Sequence, residues 1–199
     1  MRHSNQSLTQ LVGSRICHDL ISPIGAIGNG LELIQMQSQW TDSPELALIA
    51  QSLHHASARI RFYRIAFGLA SDTQQLGVGE ISSILADMTR DGRVSYDWQG
   101  GEGCARSELR LVFLGLLCLE TALPLGGGIA ITSYDGRWQL RGAGDRIRWE
   151  DGAWSGDVIN TAGEIGADRV QFALLLDELQ QQGRDLTTEV GDTSALISF

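Results

Sequence analysis

The chain is 199 residues long, 43% hydrophobic and 20% charged, with a formal net charge of −9. That length allows a buried core in one large domain or two small ones. The acidic balance argues against a nucleic-acid partner, because phosphate binding needs a net basic face. All 15 Lys/Arg positions are arginine, which excludes Schiff-base and phosphate-loop lysine chemistry.

The polar leader Met1 to Gln10, which includes His3, lacks the apolar core of a signal peptide and is expected to be disordered. From Gly13 an apolar seam runs through Cys17, Leu20, Ile24, Ile27, Leu31 and Ile34, alternating steps of four and three residues. That is a heptad pattern with apolar a and d positions. The pattern breaks between Gln37 and Ser43. Asp42-Ser43-Pro44-Glu45 then supplies a capping residue and a proline in the first turn of a new helix. A second seam follows at Leu46, Ile49, Leu53, Ala56, Ile60, Tyr63 and Phe67, and Gly68 ends it. Two such helices joined by a short loop predict an antiparallel hairpin. Ile21, Leu33, Leu48 and Ile65 widen its apolar face beyond what two helices can bury. A homodimer forming a four-helix bundle would cover it.

Beyond the hairpin, Val78 to Thr89 has helical spacing and Arg93 to Trp98 alternates like a strand. Gln99 to Gly103 reads as loop, and Ser107 to Leu123 as a strongly apolar helix stopped by Pro124 and Gly126-Gly127-Gly128. Gly128 to Tyr134 and Arg137 to Arg141 flank Asp135-Gly136, a hairpin signal. Asp157 to Gly166 is ambiguous, Ala167 to Gln182 is an amphipathic helix, and Asp185 to Val190 with Ala195 to Phe199 close the chain as a hairpin. The fold class is therefore α+β. The helical hairpin occupies residues 1–73, and residues 74–199 form an α/β sandwich with helices on one face of a mixed sheet. No apolar run reaches the roughly 20 residues of a membrane span, so the chain is expected in the cytoplasm with no membrane partner. The three cysteines, Cys17, Cys104 and Cys118, form no Cys-x-x-Cys and are odd in number, which fits neither structural zinc nor a disulfide framework.

The chemistry concentrates in the first helix. With Cys17 at an a position, His18 falls at b and Asp19 at c, outside the seam. A neutral imidazole beside a carboxylate is a nucleophile with an orienting partner. Ser22, Gly25, Ala26 and Asn29 continue the same outer side as a stripe of small residues that another helix could approach. Pro23 deprives the Asp19 carbonyl of its helical partner and is expected to bend the helix. Folding the hairpin about Trp40 to Ser43 brings His18 opposite Arg61 to Arg64, with Arg15 one turn before it. Arg15, Arg61 and Arg64 are thus candidate cations for a phosphoryl group, although any one of them taken singly reads better as decoration of a solvated face. His54 and His55 lack an adjacent carboxylate and read as surface or groove residues.

The run Cys17-His18-Asp19-Leu20-Ile21-Ser22-Pro23 resembles the H-box of histidine kinases. Extended through Ile24-Gly25-Ala26-Ile27 and Asn29-Gly30-Leu31-Glu32-Leu33, it is similar to the first helix of the alphaproteobacterial ChpT family of histidine phosphotransferases. Arg61-Phe62-Tyr63-Arg64-Ile65-Ala66-Phe67-Gly68 resembles that family's second helix, and Leu123-Pro124-Leu125-Gly126-Gly127-Gly128-Ile129 its later helix-to-strand junction. The resemblance implies a dimeric, kinase-like architecture whose second domain is shaped like a kinase ATP-binding domain. It implies that His18 carries a phosphoryl group from the receiver domain of a hybrid histidine kinase to downstream response regulators, with Asp19 orienting the imidazole. Mg²⁺ would come from the receiver. The kinase nucleotide boxes are missing. Leu114 and Cys118 stand where asparagines would hold Mg²⁺ and nucleotide, no Asp-x-Gly-x-Gly follows Asp135-Gly136, and no Gly-x-Gly-x-Gly precedes Ala167. The chain is therefore expected to bind no ATP and to need no cofactor of its own. An active kinase, a receiver phosphatase and a non-enzymatic dimeric adaptor are the alternatives.

Overall fold

In a computed structural model of the protein, residues 2–36, 43–70, 73–90, 92–155 and 166–199 are described, with side chains of the first helix from Gln10 onwards. The chain separates into two compact units, Met1–Leu69 and Ala70–Phe199.

The first unit is two helices, α1 (Arg2–Gln35) and α2 (Pro44–Ala66), packed on each other. Helix α1 begins at Arg2, so the leader expected to be disordered is helical, and the helix runs uninterrupted through Pro23. One proline removes one amide, and the turns on either side hold the helix. The α2 start forms as its sequence dictates: Ser43 caps the helix, its Oγ accepting from the Leu46 amide at 3.3 Å, and Pro44 occupies the first turn. The expected turn about Trp40 lies outside the described residues.

The seam is narrower than the heptad pattern predicts. On α1 the a positions Cys17 and Leu31 are buried and Ile24 is half-buried, whereas the d positions Leu20, Ile27 and Ile34 are exposed. Two helices share one stripe, and among the described residues the second apolar stripe of α1 stays exposed. A Cβ on Gly13 would lie 2.8 Å from the Phe67 carbonyl oxygen, and one on Gly28 would lie 3.3 Å from Leu53 Cδ2. These two glycines let the helices approach closely and set the antiparallel register. On α2 burial extends beyond the expected seam to Ala58, Phe62, Ile65 and Ala66.

The second unit contains β1 (Gln75–Gly77), α3 (Val78–Thr89), β2 (Val94–Gln99), β3 (Gly103–Ala105), α4 (Arg106–Ala122), β4 (Gly127–Tyr134), β5 (Arg137–Ala143), α5 (Val170–Gln182), β6 (Thr187–Val190) and β7 (Ser194–Ser198). Short 3₁₀ turns cover Asp151–Trp154 and Ala167–Arg169. Five strands form one mixed sheet in the order β2-β4-β5-β7-β6, in which β2 and β4 are parallel and the other pairs antiparallel. The three-residue pair β1 and β3 was not foreseen, and part of the expected Gln99 to Gly103 loop belongs to it. Most of Asp157 to Gly166 lies outside the described residues.

The ladder explains the core. Trp98, Ile131, Leu140 and Ile197 are cross-strand partners in one row across four strands. Helix α4 packs on β5, β7 and α5, and its Leu109, Val112, Phe113, Leu116 and Leu119 are fully buried. Its approach is close at Gly115, where a Cβ would lie 2.6 Å from Leu140 Cδ1. Asp135 and Gly136 both have positive φ, 50° and 75°, the turn that this dipeptide favours. Arg110, 1% exposed, pairs with Glu178 across α4 and α5. Glu108 accepts from Trp138 Nε1 at 2.8 Å and from Arg184, tying α4 to β5 and to the chain after α5.

Candidate functional site

The middle turns of α1 place three polar side chains together on its outer surface. His18 Nδ1 lies 3.1 Å from Asp19 Oδ1, and Arg15 Nε donates to Asp19 Oδ2 at 2.7 Å. Asp19 therefore has one oxygen on the imidazole and the other on the guanidinium. The hydrogen bond to His18, supplemented by the Arg15 guanidinium, holds the Asp19 carboxyl below its ordinary range. The His18 side chain is 82% exposed. With Nδ1 committed to Asp19, the free ring position is Nε2. That leaves a nucleophilic nitrogen facing away from the helix, accessible to a macromolecular partner.

The arginines divide. Arg15 belongs to the His18–Asp19 cluster. Arg61 is half-buried and Arg64 exposed on α2. The packing of Gly13 against Phe67 and of Gly28 against Leu53 puts His18 level with the turn that carries them. Arg64 acts instead on Cys17: burial pushes that thiol up, and the Arg64 charge partly offsets it. Ser14, which the sequence did not single out, accepts from the Leu69 amide at 3.0 Å and ties the end of the hairpin together just before the site. No sequence signal marks it, because the contact spans the whole hairpin.

Ser22, Gly25, Ala26 and Asn29 are all exposed and follow His18 along α1, and a Cβ at Gly25 would meet nothing within 4 Å. His54 and His55 are half-buried on α2. In the second unit Leu114 and Cys118 are fully buried, and desolvation pushes the Cys118 thiol well above its ordinary value. Both positions face core, not a polar cleft. Among the described residues no group of three or more His, Cys, Asp or Glu could hold a metal ion, and no helix is long and apolar enough to cross a membrane.

Comparison with known proteins decides the family. Residues 78–194 match the histidine phosphotransferase C-terminal domain. This chain belongs to the histidine phosphotransferase family. A relative, the protein phosphotransferase ChpT of Brucella abortus (strain 2308), is 38% identical over 126 residues, which span 62% of this chain and 59% of that protein. A solved structure of a bacterial phosphotransferase superposes with a TM-score of 0.66 at 30% identity, covering 93% of this chain and 91% of that one. A more distant likeness, with a TM-score of 0.43 at 16% identity over 92% of each chain, is to the histidine kinase domain of a blue-light activated kinase of Erythrobacter litoralis. The family match covers the α/β unit; the cluster at His18 lies outside it.

Proposed function

We propose that this histidine phosphotransferase carries a phosphoryl group on His18 Nε2 within a multistep phosphorelay. The single observation behind this reading is the pairing of Nδ1 with Asp19 on an imidazole that is otherwise open. A hybrid kinase's receiver domain presents an aspartyl phosphate. The Nε2 lone pair attacks phosphorus in line, the P–N bond forms, the acyl P–O bond breaks, and the receiver's carboxylate leaves. The Nδ1 proton stays in its hydrogen bond to Asp19, which stabilises the positive charge growing on the ring. Transfer onward to a response regulator reverses these bonds on a new aspartate. Such a reaction needs positioning and charge stabilisation more than covalent work. In this reading Mg²⁺ sits in the receiver's acidic pocket, and the stripe Ser22, Gly25, Ala26 and Asn29 is where a receiver helix docks.

The same reading makes the protein a homodimer that binds no ATP. The exposed d positions Leu20, Ile27 and Ile34 support the dimer, and the buried, apolar Leu114 and Cys118 support the absence of nucleotide. The test is to incubate the protein with a labelled, phosphorylated receiver domain and, separately, with γ-labelled ATP. An acid-labile, alkali-stable label is expected from the receiver alone, and none on His18→Ala. Label persisting on His18→Ala would overturn the assignment, and label from ATP alone would make the protein a kinase.

A further inference from the structure

We infer that Arg15 is a positioning residue, which acts on the imidazole through Asp19 and does not neutralise the transferred phosphoryl group. This rests on the phosphotransfer reading of His18. Adjacent residues on a helix point about a quarter-turn apart and do not face each other, so Asp19 reaches His18 only if its carboxylate is turned back. Arg15 is three residues before His18 and four before Asp19, on the face that both share. Helical side chains lean towards the N-terminus, which brings both neighbours over the turn that carries Arg15. The terminal torsion of an Asp carboxylate is broad, so something must set its plane. Arg15 Nε engages Oδ2 at 2.7 Å, and that leaves Oδ1 against Nδ1 at 3.1 Å. The guanidinium thereby selects the tautomer in which Nδ1 carries the proton and Nε2 carries the lone pair.

All three side chains are solvent-exposed, at 76%, 82% and 49% for Arg15, His18 and Asp19. The effect is therefore modest and salt-sensitive.

Two readouts on the full-length protein test this. In ¹⁵N-histidine-labelled protein, NMR reports the His18 tautomer, assigned by comparison with His18→Ala. Phosphoramidate, a small phosphoryl donor, reports the intrinsic rate of His18 phosphorylation without any receiver. Arg15→Ala is expected to shift the tautomer towards the Nε2-protonated form and slow phosphorylation several-fold. The same change in an Asp19→Ala background is expected to cost nothing further, because the two residues act as one unit. An unmoved tautomer, or equal losses in both backgrounds, would overturn the inference and place Arg15 on the phosphoryl group. Should the unmodified protein accept phosphate from neither phosphoramidate nor a receiver, the phosphotransfer reading falls. The tautomer comparison would still decide what Arg15 does.

Discussion

Asp19 and two desolvated thiols sit on opposite sides of the same electrostatic rule. Two donors stabilise the charged form of Asp19, whereas desolvation stabilises the neutral form of Cys104 and Cys118. The Cys104 thiol is pushed up to about 11, with Glu108 adding to the burial effect, and burial pushes that of Cys118 well above its ordinary value. In the unfolded chain both ionise from about 9.0, so above that pH the unfolded state releases protons that the folded state keeps. Stability contributed by the neutral thiols is complete below 9.0 and declines as pH rises towards the folded values. Thermal unfolding followed from pH 8 to 11 should show a falling midpoint that flattens when Cys104 and Cys118 are both replaced by alanine. Chemistry at single residues was unevenly legible in the sequence. The adjacency of His18 and Asp19 was visible, because neighbouring residues need no fold to meet. The partner of Arg15 was not, since spacing puts it within reach of both and only the rotamer chooses.

At the level of elements, glycines in one helix have opposite roles. Gly13 faces the Phe67 carbonyl at 2.8 Å from any added Cβ, while Gly25 faces open space. Gly13→Ala must push the helices apart and should cost about 1–3 kcal/mol. Gly25→Ala should stabilise the chain by about 0.5–1 kcal/mol through backbone entropy. Urea unfolding of the two variants measures both. If a receiver docks on the stripe, Gly25→Leu slows transfer from a phosphorylated receiver but leaves phosphorylation by phosphoramidate unchanged. Heptad spacing located both helices of the hairpin and could not say which stripe the hairpin itself buries, because periodicity records apolar faces and not the number of partners. The Asp135-Gly136 hairpin was legible because positive φ at both positions has a residue signature. The pairing of β1 with β3 was not, since three residues carry no period.

Across the molecule, apolar side chains left open on α1 and α2 set the expectation for assembly. On one stripe of α1, Ile16, Leu20, Ile27 and Ile34 are between 41% and 56% exposed, an apolar face of the kind that marks an association surface. Analytical ultracentrifugation should give twice the chain mass for the unmodified protein, and a monomer for Leu20→Glu combined with Ile27→Glu. In the α/β unit the order of helices and strands other than β1 and β3 was readable from helical periodicity, strand alternation and turn residues. The fastening of that unit by Arg110 with Glu178 and by Glu108 with Trp138 was not, because those pairs join residues far apart in the chain. The openness of His18 also sets a clock. On a side chain 82% exposed, a phosphoryl group would stand in bulk water with no wall against hydrolysis. Its lifetime would be that of phosphohistidine itself, and a signal could wait on this protein only as long as the bond lasts unaided.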